Sequence, residues 1–240
     1  EEIASMREGG RILARILRAV SRAVEPGVTT GELDALAERL IHESGVAAAF
    51  KGYRNFPAAL CVSMNDEVVH GIPGTRPLAA GDVVGLDLGI KHRGLFTDTA
   101  LTVGIEPLTD EARELIRVTR EALTVGVRAA RPGATTGDVG YAIESFVRSH
   151  GFSVVRDLVG HGVGSAPHED PAMPNFGEPG AGEVLEPGMT LAIEPMVVAG
   201  DPAVVEALSG VWKTKDGRNS AHFEHTVALT REGTQVLTLA

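Results

Sequence analysis

Residues 25–32 read EPGVTTGE, and 106 positions further on residues 131–138 read RPGATTGD. Each copy contains a Pro-Gly turn. Each also places an acid three residues after a threonine, which is the capping-box pattern at the start of a helix. Apolar residues at helical spacing follow both copies, and Gly45 and Gly151 are suited to end the two helices. Because a motif of this length seldom recurs by chance, the chain is predicted to contain two similar halves.

The segments around the repeat indicate how each half is built. Helices are also predicted at about 5–24 and 109–130, directly ahead of the two repeated helices. The candidate strands are 59–64, 83–90, 96–103, 189–198, 222–229 and 235–239. We therefore predict an α+β fold with one domain over residues 1–240. Its halves span about 1–105 and 106–240, and their sheets join in a common core.

The composition excludes several classes of protein. A formal net charge of −10 argues against a nucleic-acid binder, which needs a basic surface. Cys61 is the only cysteine, so no disulfide can form within the chain and a reducing cytoplasm is the expected setting. No apolar run approaches the roughly 18 residues of a membrane span. The first residues lack the order of a secretory signal.

The repeat also relates four acids as two pairs. Asp87 and Glu194 each follow a glycine by six residues and are expected at the end of an apolar strand, whereas Asp98 and Glu224 lie within β-rich segments. A turn centred near residues 92–93 would place Asp87 directly opposite Asp98, with Cβ atoms about 5 Å apart. Such carboxylates repel one another unless they share a proton or bind a cation. Four converging carboxylates favour cations.

One histidine completes this set. His161 lies within GHGVG at residues 160–164, where the glycines let the backbone approach a neighbour and orient the imidazole. The four carboxylates carry a charge of −4, which two divalent cations would balance, and oxygen ligands with one imidazole suit Mn, Fe, Co or Zn. A single acid or histidine within a strand more often has a structural role. The prediction of a metal site therefore rests on the four acids and His161 taken together. His92, in the turn, is expected to be exposed.

Together these motifs resemble the methionine aminopeptidases of the pita-bread fold, peptidase family M24, over nearly the whole chain. The segments that carry the resemblance are NDEVVHGIP at 65–73, VGLD at 84–87, TDTA at 97–100, GHGVG at 160–164, IEP at 193–195 and FEHT at 223–226. The resemblance implies two pseudo-symmetric halves with a curved, mostly antiparallel sheet covered by helices. The interval of 30 residues between Glu194 and Glu224 favours type I, because type II members carry a helical insertion there.

The implied activity is removal of the initiator methionine from nascent proteins, with small second residues preferred. A hydroxide that bridges two divalent metal ions is expected to attack the peptide. By resemblance, Asp98 and Glu224 bridge both ions, Asp87 binds one ion, and His161 and Glu194 bind the other.

The resemblance also assigns residues to the substrate. His70, His168 and Glu194 are expected to be catalytic, with both histidines contacting the scissile amide and the glutamate relaying a proton. The residues expected to line the methionine pocket are Tyr53, Phe56, Cys61 and Trp212. An apolar pocket with aromatic edges suits the long, polarizable methionine side chain.

This chain departs from the family pattern at several positions. Pro167 precedes His168 where members often carry an aromatic residue, and His222 stands where many carry glutamine. Phe50 and Val69 stand where some relatives have cysteines. His222 either offers a hydrogen bond to a metal ligand or is simply a strand residue beside the site.

Two other functions stay open. Xaa-Pro aminopeptidases of the same fold use the same five ligands but usually add an N-terminal domain, and non-catalytic binding modules of this fold have lost the ligands. The expected partners are the N-termini of nascent polypeptides, while ribosome contact is expected from the function alone. A monomer without nucleic-acid specificity or membrane contact is expected.

Overall fold

The computed structural model describes residues 1–239. Its helices are α1 (Glu2–Ser21), α2 (Thr30–Glu43), α3 (Asp110–Ala129) and α4 (Thr136–Ser149). The strands of the first half are β1 (Ala47–Ala48), β2 (Leu60–Met64), β3 (Glu67–Val69), β4 (Val83–His92) and β5 (Leu95–Gly104). Those of the second half are β6 (Ser153–Val154), β7 (Gly160–Gly162), β8 (Glu169–Met173), β9 (Thr190–Ile193), β10 (Met196–Val198), β11 (Val204–Glu206), β12 (Trp212–Thr214), β13 (Ser220–His222), β14 (Glu224–Thr230) and β15 (Gly233–Val236). None of the helices in the described range is long and apolar enough to cross a membrane.

The duplicated segments begin α2 and α4, as predicted. The Thr29 hydroxyl accepts a hydrogen bond from the Glu32 N–H at 3.2 Å, and the Glu32 carboxylate accepts one from the Thr29 N–H at 2.8 Å. Thr135 and Asp138 repeat this arrangement at 3.2 and 2.8 Å. Both capping boxes therefore form, and each satisfies two backbone groups at a helix start.

Most strands belong to one large antiparallel sheet. Within residues 1–239 it has nine strands in the order β1-β4-β5-β14-β9-β7-β8, with β15 beside β14 and β2 beside β4. β5 of the first half pairs with β14 of the second, so the two halves share this sheet. Two three-stranded sheets, β13-β10-β6 and β11-β12-β3, complete the described strands. The arrangement is α+β.

The helices pack on one face of the large sheet. Leu86 and Leu88 of β4 are buried in an apolar cluster with α1 and α2, and Leu191 and Val227 are buried in a second cluster with α3 and α4. Successive side chains of a strand point to opposite faces. Asp87, between the two leucines, therefore points away from the helices, and Asp87 lies within β4 rather than at its end.

Two predicted strands are each divided in the structure. The segment predicted as 189–198 forms β9 and β10, separated at Glu194 and Pro195. Proline has no N–H to donate to a sheet, which explains the break. The segment predicted as 222–229 is divided between β13 and β14 at Phe223. At both breaks the chain passes between the large sheet and a small one, and Glu194 and Glu224 lie at these corners.

The turn between β4 and β5 lies one residue later than predicted. Arg93 and Gly94 form it with φ of 49° and 87°, the left-handed conformation that two-residue hairpin turns favour. This register pairs Asp87 with Ala100, so the prediction that Asp87 lies directly opposite Asp98 is wrong. The two acids are diagonal neighbours on the same face, where side chains of adjacent strands still meet.

His92 is not exposed, contrary to the prediction. Its side chain is 14% exposed, and its Nε2 lies 3.6 Å from the Glu8 carboxylate. The hairpin packs against Gly9 of α1, where a Cβ would lie 3.0 Å from the His92 Cβ. The absent side chain of this glycine lets helix and hairpin come together.

Candidate metal centre and active site

A cavity of about 720 Å³ opens beside the acids of the large sheet. Its lining includes every residue that the sequence selects for the site: Tyr53, Phe56, Cys61, His70, Asp87, Asp98, His161, His168, Glu194, Trp212 and Glu224. The fold thus brings into one cavity side chains from both halves of the chain.

The metal-binding candidates lie close together at its base. One ligand atom each from Asp98, His161 and Glu224 lies within 4.8 Å of the other two. Glu194 Oε1 is 3.4 Å from His161 Nε2. Asp98, Glu194 and Glu224 are buried, and Asp87 faces the same cavity. Their separation allows shared coordination of cations.

Glycines place His161 in this cluster. A Cβ on Gly160 would collide with the Ala192 carbonyl oxygen, and one on Gly162 would collide with the backbone of β8. Only glycine permits such close approach between strands. His161 Nδ1 lies 2.9 Å from the Gly162 carbonyl oxygen. Because a carbonyl only accepts, Nδ1 carries a proton, which leaves Nε2, 3.4 Å from Glu194 Oε1, as the nitrogen that could hold a metal ion.

Threonine hydroxyls hold the two halves together beside the acids. The Thr226 hydroxyl accepts from the Asp98 N–H at 2.9 Å and donates to the Asp98 carbonyl at 2.7 Å. The Thr102 hydroxyl accepts from the His222 N–H at 2.9 Å and donates to its carbonyl at 2.8 Å. These bonds flank the short β5–β14 ladder, which includes Glu224. They fix the backbone from which the bridging candidates project.

Burial dominates the electrostatics of the cluster. Burial, followed by the charge of Glu194, raises the pKa of Asp98 to about 7. Burial likewise raises the pKa of Glu194 to about 7. The pKa values of Asp87 and Glu224 lie well above their usual range, first because of burial and then because of neighbouring carboxylates. Each acid is therefore costly to ionise without a cation.

Buried carboxylate oxygens without hydrogen bonds indicate whether these acids and His161 suit metal ions. Asp87 Oδ1, Asp98 Oδ1 and Glu224 Oε1 are buried and make no hydrogen bond within residues 1–239. Buried carboxylate oxygens without partners are strongly unfavourable. Divalent cations would satisfy these oxygens and offset the repulsion between the acids. The donor set of carboxylates and one imidazole suits Mn, Fe, Co or Zn.

Two further histidines face the cavity. The His168 ring lies 4.2 Å from the His161 ring and stacks on Tyr53 at 5.3 Å. Burial, followed by the His161 charge, lowers the pKa of His168 to about 4. Burial, followed by the charge of His222, lowers the pKa of His70. Both imidazoles are therefore neutral at pH 7, and each carries one N–H donor.

The structure reveals contacts that the sequence does not. The Tyr53 hydroxyl lies 3.2 Å from His168 Nδ1, although these residues are 115 positions apart. His222 is 3% exposed, its Nε2 lies 3.4 Å from Glu194 Oε2, and burial lowers its pKa to about 4. Cavity residues that the sequence did not select for the site include Arg54, Leu158, Val159, Met196 and Glu206. They lie in loops and short strands, where no periodic pattern distinguishes them.

Comparison with known proteins gives the family. The model of metallopeptidase family M24 matches residues 4–231. Methionine aminopeptidase 1 of Bacillus subtilis strain 168 is 45% identical over 239 residues, covering 99% of this chain and 96% of that protein. The crystal structure of the Thermotoga maritima methionine aminopeptidase superposes with a TM-score of 0.97 at 44% identity, covering 100% of this chain and 97% of the other.

A more distant likeness concerns the fold alone. The Pyrococcus furiosus prolidase has a TM-score of 0.79 at 23% identity and is covered over 64% of its length. The predicted α+β pita-bread fold is confirmed by these structural neighbours. The family match and the identity over nearly the whole chain lead to one assignment: the chain belongs to metallopeptidase family M24, among the methionine aminopeptidases.

Proposed function

We propose that this protein is a dinuclear metalloaminopeptidase that removes the initiator methionine from nascent polypeptides. The observation that carries the proposal is the group of buried carboxylate oxygens without partners beside an imidazole. Relatives named methionine aminopeptidase align with 99% of the chain, which favours this substrate over an Xaa-Pro peptide. The presence of all five candidate ligands argues against a non-catalytic binding module.

The candidate ligands divide between two ions in our proposal. Asp98 and Glu224 would be shared by both ions, Asp87 would hold one, and His161 and Glu194 would hold the other. The close approach of Asp98, His161 and Glu224 supports a cation held by these three residues together. When bound, such a pair of ions acidifies a water molecule and polarises the scissile carbonyl. The charge of four carboxylates balances that of two divalent cations.

The remaining chemistry belongs to side chains around the substrate. Glu194, a carboxylate that faces the cavity, would accept a proton and pass it to the leaving amine. If the Tyr53 hydroxyl donates to His168 Nδ1, the imidazole proton resides on Nε2, from which it can be donated to the substrate carbonyl. His70, which also lines the cavity, would donate to the substrate backbone.

The apolar part of the cavity receives the methionine side chain in this proposal. The residues that would surround it are Tyr53, Phe56, Cys61 and Trp212. Burial raises the pKa of the Cys61 thiol well above its usual value, so this side chain stays neutral and presents an apolar surface. An unbranched thioether fits such a lining better than a charged side chain.

The biological setting follows from the activity. We propose that residues 1–240 act as one catalytic domain, as a monomer in the cytoplasm. The substrates are nascent chains with small second residues, met at or near the ribosome. We propose no nucleic-acid specificity and no membrane contact. The net charge of −10 supports the view that no extended basic surface binds RNA.

A peptide panel tests the proposed function. Purified protein supplied with Mn²⁺ is expected to release methionine from Met-Ala-Ser and to leave Ala-Pro peptides intact. His168→Ala should lower kcat by about 10²–10⁴-fold while the fold survives. His42→Ala, at the exposed end of α2, is the matched control and should retain activity. Cleavage of Ala-Pro in preference to Met-Ala-Ser, or full activity of His168→Ala, would contradict the proposal.

A further inference from the structure

We infer that His222 is a positioning residue, which donates a hydrogen bond from Nε2 to Glu194 Oε2 and so fixes the orientation of that carboxylate. The inference rests on the proposed function, because it treats Glu194 as a metal ligand. It goes beyond the proposed function, in which His222 has no role, and it chooses between the two interpretations that the sequence left open: a hydrogen bond to a metal ligand or a strand residue beside the site.

The backbone of His222 is held from two sides. In the β10–β13 pair it lies directly opposite Met196, two residues beyond Glu194. On the other side, its N–H and carbonyl both bond to the Thr102 hydroxyl. With its backbone fixed by both neighbours, the imidazole has little freedom except rotation about its own side-chain bonds. Its Nε2 lies near the Glu194 carboxylate, 3.4 Å from Oε2.

Glu194 lies between His161 and His222, whose Nε2 atoms have different hydrogen-bonding roles. His161 Nε2 is 3.4 Å from Oε1, and its Nδ1 is already bonded to the Gly162 carbonyl. In the proposed site Nε2 would hold a metal ion, and it would then have no proton to donate to the carboxylate. His222 Nε2 is 3.4 Å from Oε2. A donor for Glu194 at this position must therefore come from His222. The carboxylate then keeps Oε1 toward the metal-binding cluster and Oε2 toward His222.

The alternative of simple packing does not explain the residue. His222 is 3% exposed, and its Nε2 makes no hydrogen bond within the described residues. An apolar side chain would fill the same space without burying an unpaired polar atom. Typical N–H···O distances are about 2.9–3.0 Å, so a movement of a few tenths of an ångström completes the bond to Oε2.

Hydrogen-bond partners of metal ligands usually control affinity. They hold the ligand atom in place, and their loss typically weakens metal binding by about 10–100-fold. We expect this range when the donor is removed from His222. A residue that retains an N–H donor of similar reach, such as glutamine, should preserve most of the affinity.

The test measures Mn²⁺ affinity by electron paramagnetic resonance of free Mn²⁺. His222→Leu removes the donor, and His222→Gln restores one on an amide. The matched control is His92→Leu, because His92 Nε2 is also buried and without a hydrogen bond but lies at the β4–β5 turn beside Glu8. We expect roughly 10–100-fold weaker binding in His222→Leu. Wild-type affinity within roughly threefold is expected for His222→Gln and His92→Leu.

Two further measurements keep the inference testable if His222→Leu does not fold. The visible spectrum of the Co²⁺-loaded protein should change in His222→Leu or His222→Met and stay unchanged in His92→Leu. In the wild-type protein loaded with Zn²⁺, nitrogen-15 NMR should show the His222 proton on Nε2. A proton on Nδ1 alone would overturn the inference.

The outcomes separate this inference from the proposed function. Equal Mn²⁺ affinity in His222→Leu and wild type, with equal Co²⁺ spectra, would show that His222 only packs. A loss in His222→Gln as large as that in His222→Leu would also overturn the inference, since the donor alone would then be insufficient. Failure of the wild-type protein to bind Mn²⁺ would instead contradict the proposed metal-dependent function.

Discussion

Replacing Thr226 by valine tests how the two halves are joined beside the metal-binding acids. Thr226 is fully buried, and its hydroxyl bonds to both the N–H and the carbonyl of Asp98. Valine keeps nearly the same shape but has no hydroxyl. The change therefore removes both hydrogen bonds across the β5–β14 junction and leaves the packing nearly intact.

The magnitude follows from the groups left behind. Each buried backbone group of Asp98 that loses its partner costs about 1–3 kcal/mol, so the expected loss is about 2–6 kcal/mol. For a chain of this length, 1 kcal/mol corresponds to about 2–4 °C in Tm. We therefore expect Thr226→Val to lower Tm by about 4–24 °C, with metal affinity also reduced because Asp98 loses its support.

Thermal and urea denaturation of the chelator-treated protein measures this difference. The matched control is Thr119→Val: Thr119 is also fully buried, but its hydroxyl donates to the Leu115 carbonyl within α3 at 2.7 Å. That carbonyl also accepts the regular helix hydrogen bond, so no backbone group is left unpaired and the loss should stay below about 1 kcal/mol. The reasoning is refuted if Thr226→Val costs less than about 1 kcal/mol, or if the two variants cost the same.

Two other predictions concern the site. Tyr53→Phe removes the hydroxyl that contacts His168 Nδ1, so kcat should fall about tenfold or more with little change in KM, whereas an unchanged kcat would exclude this contact from catalysis. When a chelator keeps the protein free of metal, its free energy of unfolding should fall as the pH rises from 6.5 to 8. The reason is that the pKa values of Asp98 and Glu194 are raised to about 7 in the folded state, so the folded state binds more protons than the unfolded state. Histidines with lowered pKa values act in the opposite direction where the unfolded imidazoles titrate, near pH 6.5, and their effect fades above about pH 7. Mn²⁺ should remove the slope that the acids produce. Denaturation curves that do not change with pH between about 7 and 8 would contradict this.

The local chemistry of the repeat allowed much of the fold to be predicted. Thr29 and Thr135 each start a helix with a capping box, and this pattern is visible in a few adjacent residues. The register of the β4–β5 hairpin could not be predicted from such a short local pattern. A turn centred near His92 and Arg93 was predicted, but the positive φ that both turn residues need is found at Arg93 and Gly94 instead. That one-residue difference changes which residue faces Asp87.

The candidate site was predictable only in part. Duplication relates the acids to one another, and the cavity includes all of them. The contacts that hold them were not predictable, because a threonine within a strand resembles any other strand former. Thr102 reaches His222 across 120 positions, and Tyr53 reaches His168 across 115. Such contacts depend on the tertiary arrangement of strands and leave no periodic signal.

The position of the acids explains how the fold tolerates them. Each half has its own apolar core on the helix-covered face, with Leu86 in one and Leu191 in the other, and neither core needs the acids for packing. The acids converge where β5 meets β14, at a junction held by threonine hydroxyls rather than by a long ladder. Repulsion among the acids therefore acts on this junction and not on either core. Cations that offset the repulsion should stabilise the junction most, which couples metal binding to the joining of the two halves.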